Sequence, residues 1–148
     1  MRNEKGFSSI EFLIILSIIG IIAAVVLPNL LQPKFDVNEV SAIKSMYNLI
    51  DAQSTYSKTN DSGNYATDLS SLAKLKLIDN VLGSGIKDGY TFSISSGANN
   101  TTFTINARPE TYDSTGARSF FADESNKIRY TINNTAANST SPLLPETD

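Results

Sequence analysis

Three patterns of apolar and polar residues follow one another along the chain. From Phe12 to Leu27 only Ser17 and Gly20 interrupt a run of apolar side chains. With its flanks the run reaches about 20 residues, enough to cross ~30 Å of hydrocarbon at 1.5 Å per residue, and membrane helices tolerate both interruptions. Pro28 has no N–H and its ring clashes with the carbonyl of Ala24, which predicts a kink or the end of the span. Pro33 adds a second break before Phe35. Beyond it Val37, Val40, Ile43, Tyr47 and Ile50 recur at intervals of 3, 3, 4 and 3, the spacing of one helical face. Asn38, Glu39, Ser41, Ser45, Asn48 and Asp51 are assigned to the other side. This helix is expected to run to about Ser57 and stop at the turn-rich "KTNDSGNY". Unbroken, residues 7–57 would form one helix of roughly 75 Å.

The third pattern is mixed. Thr67-Asp68 is placed to cap "LSSLAKLKLI", a short helix or turn whose leucines, Ala73 and Ile78 supply apolar contacts. Alternation then takes over: Tyr90, Phe92 and Ile94 against Thr91 and Ser93, and Phe103, Ile105 and Ala107 against Thr102, Thr104 and Asn106. "RSFFAD" and "KIRYTIN" flank Glu124-Ser125-Asn126 as a hairpin. Four strands with one apolar face predict a half-buried antiparallel sheet packed on the helical stripe. The fold class expected is α+β, a long N-terminal helix packed on a small antiparallel sheet. The final "NNTAANSTSPLLPETD" is polar and reads as a flexible surface tail.

Composition narrows the chemistry. The chain has 148 residues, a net charge of −3, no cysteine and no histidine. Disulfides, thiolate or imidazole metal sites and His-based acid–base catalysis are thereby excluded. No basic field advertises nucleic acid as a partner. No catalytic constellation and no cofactor motif is visible, so an enzyme is not expected.

One residue does not suit a plain membrane anchor. Glu11 places a carboxylate one position before the apolar run, six residues after Lys5. Arg2 and Lys5 favour a cytoplasmic N-terminus. A conventional signal peptide would need a small-residue cleavage site, and Ala23-Ala24 lacks the Ala-x-Ala spacing. A single-pass anchor would leave Glu11 at the headgroup boundary without a task. The arrangement itself, a short basic leader ending in Gly6, then Phe7, then Glu11 and an aliphatic stretch to Pro28, resembles the signal of type IV pilins and type II secretion pseudopilins. Gly20 and Pro28 also match positions where members of that family carry glycine and proline.

The resemblance implies cleavage between Gly6 and Phe7 by a prepilin peptidase on the cytoplasmic side, followed by N-methylation of Phe7. Residues 7 and 11 stand one helical turn apart, so the spacing allows the amine released at Phe7 and Glu11 to pair within one chain. The resemblance implies instead that Glu11 meets the new N-terminal amine of a neighbouring subunit, and that the stretch from Gly20 to Pro28 loses helical hydrogen bonds on assembly. A free α-amine is largely cationic near neutrality, and a buried ionic contact of this kind serves best as a register device. The implied partners are other copies of the chain in a helical filament, the peptidase/methyltransferase, and an inner-membrane assembly machinery. The precursor would span the bacterial inner membrane, and the product would be a periplasmic or cell-surface filament. On this reading the chain divides into a leader (1–6), a hydrophobic transmembrane and filament-core helix (7–31), the amphipathic half of the long helix (32–58), a globular α+β head (59–133) and the tail (134–148). A pseudopilin is the alternative, and a monomeric membrane-anchored adhesin or binding protein follows. The missing cysteines and "SGNYAT", similar to the Gly-x-Tyr-Pro element of major pseudopilins with Ala66 in place of proline, lean toward the secretion type. Ala66 in place of that proline and the missing calcium loop lean back.

Other candidates carry less. Asp113, Asp123, Glu124 and Asp148 are loop acids without the dense oxygen-ligand run that calcium requires. Asn60, Asn99, Asn100, Asn133 and Asn138 form sequons of the kind any Asn/Ser/Thr-rich surface produces. The aromatic residues fall on strand and helix core positions, where packing accounts for them.

Overall fold

The structure, a computed structural model, describes residue 6, residues 8–59 and residues 62–145, with the backbone alone described for residues 23–33. Two compact units divide the chain, Met1–Pro33 and Lys34–Asp148. Helix α1 (Ser9–Thr59) is assigned without interruption through Pro28 and Pro33. The side chains of those prolines, on which the expected break turns, lie outside the described residues.

In the larger unit the C-terminal part of α1 is followed by two short helices, α2 (Leu69–Lys74) and α3 (Asn80–Gly83), and then by a five-stranded sheet. Its strands are β1 (Ile86–Lys87), β2 (Tyr90–Ser96), β3 (Phe103–Pro109), β4 (Ser119–Asp123) and β5 (Arg129–Thr131), antiparallel neighbours in chain order. The α+β expectation therefore holds, with one strand more than the alternation predicts. The extra strand comes from Asp88-Gly89, a two-residue hairpin turn with positive φ at both positions, which pairs Lys87 with Tyr90. Gly89 has a second reason to be glycine: a Cβ there would stand 2.9 Å from that of Thr115.

The core is built from Ala42, Met46, Leu49 and Ile50 of α1 against Leu72, Leu82, Tyr90, Phe103, Ile105 and Phe120. Each large side chain so buried contributes about 1.5–3 kcal/mol relative to exposure. The helical face corrects the sequence reading in part: Ile50 is buried and Ile43 packs against the core, as expected. Val37, Val40 and Tyr47 are exposed at 67%, 50% and 50%, while Glu39 and Ser45, assigned to the solvent side, are buried. The buried positions Glu39, Ala42, Met46, Leu49 and Gln53 keep helical spacing but lie on a different stripe. Hydrophobicity alone misplaced the face because its two ends are polar, and each polar end has a dedicated partner.

Glu39 accepts the backbone N–H groups of Ala117 and Arg118, both at 3.0 Å, and the Arg118 Nε at 2.6 Å. Tyr90 donates its hydroxyl to the Arg118 carbonyl at 2.8 Å. Burial, then the Glu39 charge, pushes that hydroxyl well above the usual tyrosine range, so it remains a donor. Gly116 lets the two approach, since a Cβ there would lie 2.3 Å from the Tyr90 oxygen. Asn38 donates to the Thr115 carbonyl and Ser41 to Asp88. At the other end of the stripe, Gln53 donates to the Ala66 carbonyl at 3.0 Å and accepts its N–H at 2.8 Å. Among the described residues no buried side-chain polar atom lacks a partner.

Asp68 caps α2 through the Ser71 N–H, as the sequence predicts, and Asp79 caps α3 through the Leu82 N–H. In β4, Ser119 to Ala122 are all buried, so this strand is covered on both faces and departs from the expected alternation. The segment after β5 lies along it: Leu144 donates to the Ile128 carbonyl, Tyr130 to that of Pro142, and the Arg129 guanidinium to that of Ser141.

Two outcomes are expected. Glu39→Ala leaves two N–H groups and a guanidinium without their acceptor and should destabilise the head by about 3 kcal/mol, near the lower end for a broken buried pair because Arg118 keeps partial solvent contact; urea denaturation with an unchanged m-value checks this. Asp79 has its carboxyl held below the usual range, first by the Leu82 N–H and then by Lys87. A depressed native pKa stabilises fully above the unfolded value of about 3.9 and is lost as pH falls through the native one. Asp79→Asn should therefore flatten the acid limb of stability against pH and leave its shape near neutrality unchanged.

Candidate functional site

Of the N-terminal residues that the sequence singles out, Glu11 stands at the start of α1. Gly6 is non-helical and exposed, and Phe7 lies outside the described residues. Ser8 precedes the helix, and Glu11 falls in its first turn. The Glu11 carboxylate accepts the Ser8 backbone N–H at 2.9 Å through Oε2. Ser8-Ser9-Ile10-Glu11 is therefore a capping-box sequence with the reaching-back half of the box in place. An acid in the first turn also answers the positive end of the helix dipole. The Ser-x-x-Glu spacing just before an apolar run is the sequence signal that identifies this local role. The bond uses one oxygen of a group with about four acceptor sites, so capping does not exhaust Glu11.

Around and beyond Glu11 the helix is apolar on every side. Ile10, the residues from Phe12 to Leu16, and Ile18, Ile19, Ile21 and Ile22 range from 41% exposed (Ile15) to 68% (Ile21). Ser17 satisfies its hydroxyl on the Leu13 carbonyl at 2.8 Å, which hides its only side-chain polar group within the run. A Cβ at Gly20 would meet nothing within 4 Å, so within the described chain glycine is not needed there for space. An apolar surface on all sides of a helix calls for lipid or other helices. Among the described residues no helix is long and apolar enough to cross a membrane. The transmembrane expectation for residues 7–31 extends over Phe7 and the side chains of residues 23–33, Pro28 included, which lie outside them.

The remaining candidates do not gather into a site. Asp113 lies in the loop before β4, Asp123 accepts the Ser125 N–H in the β4–β5 turn, and Glu124 is exposed beside it. Asp148 and the sequon residue Asn60 lie outside the described residues. Among the described residues no group of three or more acidic side chains is placed to hold a metal ion.

With that geometry in view, a similarity to a known protein becomes informative. Over 77 residues the chain is 38% identical to the type IV wide pilus major component PilA4 of Thermus thermophilus. The match takes in 52% of this chain, which spans 57% of that relative's length. It supports kinship with the type IV pilins. No family model matches the chain, and no solved structure matches it.

Glu11→Gln retains the acceptor that a capping box requires, whereas Glu11→Ala removes it. In detergent micelles, amide exchange at Ser8 should be about twofold faster in the first variant, which loses only the charge, and about fivefold faster or more in the second, as for the loss of roughly 1 kcal/mol.

Proposed function

We propose that this chain is the structural subunit of a type IV pilus-like filament. The observation that carries the reading is the conjunction of an all-round apolar helix headed by Glu11 with the similarity to a pilus major component. Because that relative is a pilus component, the pilus reading stands ahead of the secretion pseudopilin. A monomeric anchored binding protein has need of neither the Gly6-Phe7 junction nor Glu11. The role is structural, and no reaction is assigned to the chain.

In this reading the peptidase cuts between Gly6 and Phe7, and Phe7 is methylated. Before assembly the apolar segment resides in the inner membrane; afterwards it packs among the same segments of neighbouring subunits. The amine released at Phe7 supplies the charge that Glu11 of another copy accepts. An acid near the helix centre costs about 2.5–3.5 kcal/mol on insertion scales, and less toward the interface, so pairing removes a penalty that would otherwise oppose packing. A mismatched register leaves both charges unpaired, which makes the pair a gauge of axial position. Gly20, with open space around it, suits close approach by another backbone. The Gly20–Pro28 stretch is the part of the helix proposed to loosen.

Surface filaments sheared from cells and analysed by mass spectrometry should yield this chain beginning at a methylated Phe7. Glu11→Ala should leave membrane insertion and cleavage intact and reduce filaments at least tenfold. Recovery of unprocessed monomer alone from wild-type cells, or filaments of normal number from the variant, would overturn the reading.

A further inference from the structure

The exposed large apolar side chains of the unit Lys34–Asp148 are not scattered. Among the described residues they fall into two groups, at opposite edges of the sheet. One group borders β5 and the adjoining flank of α1. There Val40, Ile43, Tyr47, Leu144 and Pro145 line a groove of about 360 Å³, and a smaller hollow continues from it along Leu143 and Ile128. Exposed Val37 extends this surface along α1, and exposed Ile132 follows β5. The second group, Leu75, Val81 and Ile86, lies at the other edge, on and next to α2, α3 and β1, with exposures of 56%, 58% and 50%.

Two different apolar surfaces on opposite edges suit a head-to-tail contact, in which each copy presents one surface to the copy before it and the other to the copy after it. Such contacts do not close unless the rotation closes, and they generate helical arrays. A two-fold dimer would call for one self-complementary patch. We propose that the groove around Tyr47 and Leu144 receives the Val81–Ile86 edge of a second copy of this chain. This inference rests on the filament reading and adds the pairing of head surfaces within it. Burial of both groups removes apolar area that the isolated head leaves in water. Lys44 and Lys127 rim the groove, and the exposed Lys74 and Lys76 adjoin Leu75 at the other edge. Charge therefore does not choose between groove-to-groove and groove-to-edge contact, and the cross-linking pattern decides.

The chain has no cysteine, so cross-linking can be read without background. Full-length chains carrying Tyr47→Cys, Val81→Cys or both would be expressed, and their sheared filaments treated with a short bismaleimide. The double variant should give a ladder of dimers, trimers and higher species, and each single variant should remain at least 90% monomeric. Dimers from either single variant would overturn the proposal in favour of like-to-like contacts. Intact filaments of the double variant with no ladder would overturn it while leaving the filament reading standing. Absence of filaments from wild-type cells would overturn both. Val81→Glu, at an exposed position, should leave the melting temperature of the chain unchanged and reduce filament yield at least fivefold; wild-type yield would also count against the proposal.

Discussion

The head depends on a carboxylate buried on a helix. Glu39 stands on α1 at 5% exposure and gathers three donors from the segment that leads into β4. Without it, Ala117 and Arg118 would have to reach water from beneath the helix, and β4 would lose its fixed entry point. The same turn of α1 holds the β1–β2 hairpin through Ser41 and Asp88 and the loop at Thr115 through Asn38. One helical turn therefore sets the position of both ends of the sheet's long connections. The Arg118 side chain, anchored by Glu39, also lies 5.9 Å from the ring centres of Phe120 and Tyr130, extending the clamp into the strands.

Gln53 repeats the logic at the far end of the stripe with a neutral group. Between these two polar ends the helix buries only Ala, Ser, Met, Leu and Ile. Ala42, Ser45 and Ala52 keep this stripe small in places, and the large rings of Tyr90, Phe103 and Phe120 are buried in the same core. Polar groups at both ends fix the helix along its axis more sharply than apolar contacts would, because a one-residue slide leaves several buried groups unsatisfied.

This explains which parts of the structure were legible in the sequence. The strands of Tyr90–Ser96 and Phe103–Pro109 showed in their alternation, and the cap at Asp68 in its spacing, because these are local. The short strand β1 was not among the four expected, although Asp88-Gly89 is a short-range hairpin signal for it. The buried face of α1 was legible only in part. Val37 and Val40 are more hydrophobic than Glu39 and Ser45, which are buried instead, and Glu39 is recognisable as a core residue only once its partners 78 and 79 positions away are known. At the N-terminus, Glu11 stood out from its surroundings, while its bond to the Ser8 N–H came only with the structure, although Ser-x-x-Glu is a local signal for it. The intermolecular use proposed for it cannot be read from local spacing, since it would involve a second chain. Val37, Val40 and Tyr47 stay exposed on a helix that has already satisfied its core, and they form part of the surface for which a contact with a second chain is proposed.

The bond pair between Gln53 and Ala66 reaches into the evolution of this loop. Gln53 Oε1 takes the N–H of residue 66, and proline has none. Proline in loops ordinarily stabilises a protein by restricting its unfolded chain, yet here it would leave a fully buried amide oxygen without its donor. Glutamine at position 53 and proline at position 66 are thus mutually exclusive solutions for tying this loop to the helix. Chains of this architecture that carry the proline should hold the loop with a different residue at the Gln53 position, and the two sites should change together.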